Sequence, residues 1–304
     1  MKLNHSAAVF DALSQSKPVV ALESTIITHG MPWPQNLQVA RQVEAEVLAE
    51  GATPATIAVL DGALHVGLDE AELETLAQAK NVAKLSRADM AVCMASGGTG
   101  ATTVAATMIA AHLAGISVFA TGGIGGVHKG AEDTFDISAD LLELAQTPVT
   151  VVAAGAKAIL DLPKTLEVLE THGVPVITVG QDTLPAFWSR EGDLAAPLRL
   201  DTAADIAAAH KMRQALGLPG GQLIANPIPL EHEIPRGVLA PVIKQAQTEA
   251  DDQGIYGKAV TPFLLQRLFE LTEGRSLTAN IALVLNNARL AAKIAVHLGN
   301  EVQS

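Results

Sequence analysis

Near the middle of the chain lies the segment Val149-Thr150-Val151-Val152-Ala153-Ala154-Gly155-Ala156-Lys157. A continuous run of small and β-branched residues, in place of an alternating one, is typical of a strand that is covered on both faces. A helical pattern over residues 159–172 follows, with Gly173 at its end, and a second apolar run covers residues 174–179. The order strand, helix, strand predicts two parallel strands joined by a crossover helix.

The same alternation extends over the rest of the chain. Further strands are predicted at residues 18–24, 56–60, 90–95, 116–120 and 223–225, and further helices at residues 35–50, 101–114, 202–216 and 277–298. This pattern predicts a three-layer α/β/α sandwich with a largely parallel sheet. Because no repeat or low-complexity linker is found, residues 1–304 are predicted to form a single domain. The Gly- and Pro-rich residues 217–241 do not resemble a domain boundary, and an excursion or a lid around the strand predicted at residues 223–225 is one interpretation of them.

Composition limits the partners of the chain. At 304 residues it is long enough to bury one large core. The formal net charge of −12 at pH 7 argues against a nucleic acid or an anionic membrane as the main partner. A local basic pocket for a single phosphate is still compatible with this charge.

The sequence also favours a cytoplasmic location. Its single cysteine, Cys93, excludes an intrachain disulfide and suits a reducing compartment. Cys93 lies in the apolar run 90–95 and is predicted to be a small buried residue of a strand. The first residues lack the apolar core of a signal peptide, and no apolar run of roughly 18 residues is free of charges and glycines.

Lys157 is the strongest candidate for a catalytic residue. An amine in apolar surroundings has a lowered pKa, and the neutral amine is a nucleophile. A glycine cluster at residues 121–130 and an acidic segment at residues 132–140 lie just upstream. An isolated amine, a bendable backbone and clustered carboxylates within about 40 residues indicate an active site.

Glu23 is a second candidate, because it directly follows the apolar residues 19–22 near the end of the first predicted strand. Ligands of parallel sheets gather at the carboxyl ends of the strands. A carboxylate at this place can serve as a general acid or base. The alternative is a structural carboxylate that bonds to loop amides.

Two other segments suggest anion binding. Residues 97–103 are predicted to follow a strand and to open a helix whose free amides can hold an anion. They lack the Gly-Lys-Ser/Thr ending of a phosphate-binding loop, and their glycine spacing does not match a dinucleotide fingerprint, so a tight turn is the alternative. Lys84, with Ser86 and Arg87 close by, is a candidate phosphate contact or a solvated helix end.

The acidic segment suggests a cation site. Asp136 and Asp140 are four residues apart and would share one face at the start of a helix. Together with Asp133 they can hold Mg²⁺ or Mn²⁺ through oxygen ligands. His29 and His128 lie in glycine-containing loops and are further candidates for substrate contact.

Five blocks of the sequence resemble one known family. The block Ala21-Leu22-Glu23-Ser24-Thr25-Ile26-Ile27-Thr28-His29-Gly30-Met31-Pro32 is similar to the N-terminal signature of the pseudouridine-5′-phosphate glycosidases, also called the indigoidine synthase A-like family. The other blocks are residues 100–108, 119–140, 154–161 and 225–229. They occur in one order between residues 17 and 297, which makes them more specific than any single glycine motif.

The resemblance implies an α/β/α fold and a reversible reaction that joins uracil and ribose 5-phosphate through a C–C bond, in the hydro-lyase class. By this analogy Lys157 is the nucleophile that bonds C1′ of the sugar, and Glu23 is the proton donor. The residues implied to contact the substrate are Lys84, Val104, Thr121, His128, Ser138, Ala139, Asp140 and Asn280.

The same resemblance implies one Mn²⁺ per subunit, or Mg²⁺ in its place. Asp136 is implied to lie at the metal, with Asp140 reaching it through water. A homotrimer is also implied. The implied substrates are small molecules, namely pseudouridine 5′-phosphate, uracil and ribose 5-phosphate.

The implied chemistry agrees with the residues. A C–C glycosidic bond has no leaving oxygen or nitrogen to protonate, so a pair of carboxylates alone is a poor catalyst for its cleavage. A lysine can open the ribose ring and hold C1′ as an imine-type adduct. Two other interpretations stay open: a Schiff-base aldolase that uses Lys157 on another sugar phosphate, and a non-catalytic protein that binds sugar phosphates through Lys84.

Overall fold

The computed structural model describes residues 3–255 and 260–299, without the side chains of residues 261 and 262. The strands are β1 (Leu3–His5), β2 (Val19–Leu22), β3 (Thr53–Leu60), β4 (Ala63–Val66), β5 (Ala83–Leu85), β6 (Gly100–Thr102), β7 (Val118–Ala120), β8 (Thr150–Ala153), β9 (Val176–Val179), β10 (Leu198–Leu200) and β11 (Gln222–Ala225). Within the described residues they form one sheet, with the order β1-β4-β3-β2-β7-β8-β11-β9-β10. Strand β6 pairs with β3 and with β5 outside this path.

The helices cover the faces of this sheet. They are α1 (Ala7–Ser14), α2 (Thr25–His29), α3 (Gln35–Ala49), α4 (Glu70–Gln78), α5 (Arg87–Ala95), α6 (Val104–Leu113), α7 (Ala131–Thr134), α8 (Ala139–Gln146), α9 (Leu162–Thr171), α10 (Ala203–Ala215), α11 (Arg236–Asp252), α12 (Val260–Leu271) and α13 (Arg275–Gly299). On one face α13 packs against β2, β7 and β8, flanked by α3 and α10. On the other face α6 packs against β2 and β7 and contacts α8.

The centre of the sheet is parallel, as the continuous apolar runs predict. Strands β2, β7, β8, β11 and β9 lie side by side in parallel pairs. Every residue of β2, β7, β8 and β11 is buried, since helices cover both faces. Among the described strands, antiparallel pairing occurs only where β3 meets β4 and β6. The predicted α/β fold with a largely parallel sheet is therefore confirmed.

Helix α13 is a core helix in this fold. Its buried residues include Ala279, Leu283, Ala288 and Ala291, which recur three to five positions apart and form one apolar stripe against the sheet. Among the described helices it is the one whose length and composition would suffice to cross a membrane. Half of that apolar window is buried inside the protein, so the same composition is explained by packing on the sheet.

The prediction of a strand at residues 90–95 is wrong. These residues belong to α5, which begins with a capping box between Ser86 and Asp89. A short apolar run has the same appearance in a strand and in a helix, and only the capping residues distinguish the two. Cys93 is accordingly a half-buried helix residue, and burial followed by the nearby Asp89 carboxylate raises the pKa of its thiol.

The structure also corrects the interpretations of residues 97–103 and of residues 217–241. Residues 97–99 follow a helix, and residues 100–102 form β6, so α6 begins at Val104 after Thr103 and not directly at the glycines. The stretch 217–241 contains β11, which lies in the middle of the sheet between β8 and β9. That part of the stretch is therefore a core element, neither an excursion nor a lid.

Candidate active site

Polar residues follow four adjacent parallel strands at the same edge of the sheet. Glu23 comes directly after β2, Thr121 directly after β7, and Asn226 directly after β11. Lys157 lies in the loop that follows β8. Since the strand order is β2-β7-β8-β11, these loops are next to one another, at the edge where parallel sheets bind ligands.

The loop that carries Lys157 is attached to the glycine cluster. Gly155 has a φ of +86°, a left-handed conformation that glycine adopts without strain. Ala156 forms a bridge with Ile124, and the backbone N–H of Lys157 donates to the Ile124 carbonyl oxygen at 3.1 Å. Lys157 is half-buried, whereas Ala154 and Ala156 before it are buried. The amine is thus presented from a fixed backbone at the edge of the core.

Glu23 is oriented by two hydroxyl groups. The Thr25 hydroxyl donates to one carboxylate oxygen and the Thr121 hydroxyl donates to the other. Thr121 is 1% exposed, so its hydroxyl comes from the protein interior. Glu23 thus accepts from side-chain hydroxyls at the start of α2 and in the loop after β7, in place of the loop amides that a purely structural interpretation expected.

The imidazole of His128 interacts with charged side chains of several segments, Lys157 among them. Burial lowers the pKa of His128, and the positive charges of Lys157 and Lys84 lower it further, while Asp136 opposes them. Burial also lowers the pKa of His29, with Lys84 acting in the same direction and a hydrogen bond to the Val82 backbone opposing. His128 therefore lies within electrostatic reach of Asp136, Lys157 and Lys84, and His29 lies within reach of Lys84. The two lysines make this cluster suitable for an anionic group.

Asp140 has a structural task in this site. It is 6% exposed, and its two carboxylate oxygens accept the backbone N–H of Ala105 at 3.0 Å and of Gly125 at 2.8 Å. Ser138 caps α8 and accepts the N–H of Asp140 at 3.2 Å. Asp140 thereby fastens the glycine cluster to the first turn of α6, beside the buried Val104. Ala139, between these two residues, begins α8.

The acidic segment does not form a three-carboxylate site. Asp136 lies in the loop before α8 and Asp140 within α8, so the predicted shared helix face is wrong. In residues 3–255 and 260–299 no three His, Cys, Asp or Glu side chains are grouped to hold a metal ion. Asp136 is half-buried, and one carboxylate of this kind fits Mg²⁺ or Mn²⁺, which retain water and take substrate oxygens as further ligands. Asp140 does not fit as a direct ligand, because both of its oxygens accept backbone N–H groups.

Asn280 accepts a hydrogen bond from a loop that lies against the glycine cluster. The indole Nε1 of Trp188 donates to its side-chain oxygen at 2.6 Å. The Phe187 ring packs on Trp188 with centroids 5.0 Å apart, and a Cβ on Gly123 would collide with the Phe187 ring. The loop with Phe187 and Trp188 therefore connects Asn280 to Gly123.

Two asparagines of the site were not assigned a role from the sequence. Asn226 and Asn287 are both buried, and the Asn226 side chain donates to Asn287 at 3.0 Å. Asn287 donates in turn to the carbonyl oxygen of Thr121 at 2.8 Å. The available signal was a lone amide on the apolar face of α13, which burial disfavours unless it is hydrogen-bonded.

Comparison with known proteins agrees with this architecture. The family model described as "Indigoidine synthase A like protein" matches residues 8–297. This chain belongs to the indigoidine synthase A-like family. The predicted resemblance is thus confirmed, and the matched region begins before the predicted residue 17.

The relatives of this chain in the indigoidine synthase A-like family share most of its length. A protein of Roseobacter denitrificans named pseudouridine-5′-phosphate glycosidase is 73% identical over 295 residues, which cover 97% of this chain and 95% of that protein. A protein of the same name from Jannaschia sp. is 72% identical, with 97% and 98% covered.

Two solved structures have the same fold. The prealnumycin C-glycosynthase AlnA, in complex with ribulose 5-phosphate, has a TM-score of 0.91 and 40% identity, and the match covers 98% of this chain and 97% of that one. An indigoidine synthase A-like protein from Thermotoga maritima has a TM-score of 0.89 and 32% identity, with 99% and 97% covered.

Proposed function

We propose that this chain is a pseudouridine-5′-phosphate glycosidase, which reversibly cleaves pseudouridine 5′-phosphate with water into uracil and ribose 5-phosphate. The names of the 73% and 72% identical relatives support this substrate. The observation that carries the proposal is the placement of Lys157 and Glu23 after β8 and β2, with only β7 between these two strands. The amine and the carboxyl group thus lie on nearby loops at one edge of the sheet, where both can act on the same sugar.

The proposed covalent step uses Lys157 as the nucleophile. The lone pair of the neutral amine forms a bond to C1′ while the C1′–O4′ bond breaks, and Glu23 gives a proton to the ring oxygen. The amine passes a proton to the Glu23 carboxylate and then pushes its electrons into a C1′=N bond. The electrons of the C–C bond go to uracil, whose C5 receives that proton from Glu23. Water hydrolyses the imine, which releases ribose 5-phosphate and restores Lys157.

The remaining residues are proposed to bind and orient the substrate. Lys84 and His128 face the anionic sugar phosphate, and the Ser138–Asp140 segment with Val104 shapes the pocket beside the glycine cluster. Thr121 orients Glu23, and Asn280 supports the loop of Trp188.

Asp136 would hold Mn²⁺ or Mg²⁺, which supplies positive charge to substrate oxygens when bound. We also propose that the protein acts as a cytoplasmic homotrimer without nucleic-acid or membrane partners.

A second function is favoured by one structural neighbour. AlnA is named a C-glycosynthase, and its structure contains ribulose 5-phosphate. The same lysine chemistry could join a pentose 5-phosphate to a carbon acceptor other than uracil. Release of uracil from pseudouridine 5′-phosphate distinguishes the two functions.

The proposal is tested by borohydride trapping with ribose 5-phosphate and Mn²⁺, read by peptide mass spectrometry. We expect a sugar-phosphate adduct on Lys157 and none in Lys157→Ala, which should still fold because Lys157 is half-buried. Lys164→Ala is the matched control, since that lysine pairs on the surface with Glu132. An adduct that persists in Lys157→Ala, or a wild-type protein that releases no uracil, contradicts the proposed function.

A further inference from the structure

A buried hydrogen-bond chain connects helix α13 with the candidate acid Glu23. Asn287 is 0% exposed, and its Nδ2 donates to the carbonyl oxygen of Thr121 at 2.8 Å. Its Oδ1 accepts a hydrogen bond from Asn226 Nδ2 at 3.0 Å. The Thr121 hydroxyl then donates to the Glu23 carboxylate. The chain thus joins the ends of β11, β7 and β2 through one residue of α13.

The direction of each bond is fixed along this chain. Because the amide of Asn226 donates to Asn287, the oxygen of Asn287 faces Asn226 and its NH₂ group faces Thr121. A weaker contact at 3.4 Å extends the same NH₂ group to the carbonyl oxygen of Gly122. The NH₂ group of Asn287 therefore donates to two consecutive backbone carbonyl oxygens. A side chain without a hydrogen-bond donor could not make these contacts.

Thr121 has little freedom to turn once these bonds are made. Its backbone N–H donates to the Val152 carbonyl oxygen at 3.0 Å, and its own carbonyl accepts from Asn287. Its side chain is buried, which leaves the hydroxyl directed at Glu23. A shift of the Thr121 backbone would consequently move the hydrogen bond on the Glu23 carboxylate.

We infer that Asn287 is a positioning residue for Glu23 and acts through Thr121, with Asn226 setting the orientation of the Asn287 amide. This inference rests on the proposed function, in which Glu23 transfers a proton. It also separates two parts of the site, because Lys157 is held by the Ile124 carbonyl and does not belong to this chain. Asn287 should therefore matter for the proton transfers to pseudouridine 5′-phosphate. It should not matter for the imine that Lys157 forms with the open-chain aldehyde of ribose 5-phosphate, because no C1′–O4′ bond is broken in that reaction.

The test compares Asn287→Ala with Asn286→Ala. Asn286 is the preceding residue on α13 and donates at 3.1 Å to the carbonyl oxygen of Pro227, away from Thr121. We expect Asn287→Ala to lower kcat for uracil release by about 10- to 100-fold with KM within about twofold, since small misplacements of a catalytic group have effects of this size. Asn286→Ala should stay within about twofold of wild type. Borohydride trapping of ribose 5-phosphate on Lys157 should persist in both variants.

A double-mutant cycle then tests the route through Glu23. In the Glu23→Gln background, Asn287→Ala should cause no further loss of kcat, because residues that act as a unit are not additive. A full additional loss in that background, or a parallel loss of trapping on Lys157, overturns the inference. If Asn287→Ala is not obtained folded, Asn226→Ser is used in the same cycle with the same two outcomes. A wild-type protein without uracil release contradicts the proposed function itself, whereas an active wild type with additive losses contradicts only the role of Asn287.

Discussion

The carboxylate of Asp140 accepts the backbone N–H of Gly125 at 2.8 Å, fifteen residues earlier in the chain. The other oxygen of Asp140 accepts the N–H of Ala105 in the first turn of α6. A single buried carboxylate therefore holds the glycine cluster against a helix of the core. This arrangement explains why a loop with several glycines has one defined shape beside Lys157.

Substitution Asp140→Asn should destabilise the protein by about 1–3 kcal/mol, because one of the two N–H groups would face an amide donor and lose its acceptor. Urea unfolding monitored by circular dichroism measures the change. Asp133→Asn is the control, since Asp133 is exposed in the same acidic segment and should unfold like wild type. Equal stability of Asp140→Asn and wild type would contradict the fastening role.

Gly125→Ala should also destabilise the protein, by about 1–3 kcal/mol, because overpacking forces neighbouring groups to shift. A Cβ at this position would collide with the Ser138 side chain and the Asp140 carboxylate. Gly237→Ala is the control, because no atom lies within 4 Å of a Cβ there. Thermal unfolding should therefore separate the two variants, and similar midpoints for both would show that Gly125 has room.

Two glutamates of α3 should respond to pH in opposite directions. Burial raises the pKa of Glu44, with a hydrogen bond from Thr56 partly opposing. The hydrogen bonds from Arg289 lower the pKa of Glu46. A raised carboxyl pKa means that the folded state binds the proton more tightly than the unfolded state, so its contribution to stability falls as the pH rises above the ordinary value of 4.5. A lowered pKa gives stability that is present above 4.5 and is lost as the pH falls below it.

Relative to wild type, Glu44→Gln should therefore become more stable as the pH rises through this range, whereas Glu46→Gln should become less stable. The free energy of unfolding from urea titrations between pH 3 and pH 7 measures both. Each variant serves as the control for the other on the same helix. Curves of the same slope for both variants would contradict the assigned burial of Glu44 or the ion pair of Glu46.

Asp136→Ala should raise the Mn²⁺ concentration needed for half-maximal uracil release by about tenfold or more, in line with the loss of a metal-holding group. The measurement is a metal titration of the activity. Asp133→Ala is the matched control, because Asp133 is an exposed carboxylate of the same segment. An unchanged titration curve for Asp136→Ala would remove Asp136 from the proposed metal site.

Much of the fold could be predicted because buried parallel strands are continuous apolar runs that alternate with longer helical patterns. The runs at residues 149–154 and 174–179 contain β8 and β9, and Glu23 and Lys157 lie at strand ends as expected. The run 90–95 was misassigned because six apolar residues carry no period, and the Ser86 and Asp89 cap was the better indicator.

Contacts between distant segments could not be predicted in this way. Asp136 and Asp140 were expected on one helix face, yet Gly125 and Ala105 determine where the Asp140 carboxylate points. In the same way, Asn287 donates a hydrogen bond to Thr121, which lies 166 residues earlier in the chain. Such pairings depend on how helices pack on the sheet, and residue spacing does not contain that information.

Strand β11 lies between β8 and β9 although it follows both along the chain. During synthesis, the edges of β8 and β9 that face β11 therefore remain unpaired until residues 222–225 have been made. Asn287 of α13 is synthesised later still. A ribosome-bound fragment that ends before residue 222 would expose two unpaired strand edges in its centre, which is a state that chaperones recognise and that aggregates readily. The position of one strand thus makes the nascent chain vulnerable until about three quarters of it has been made.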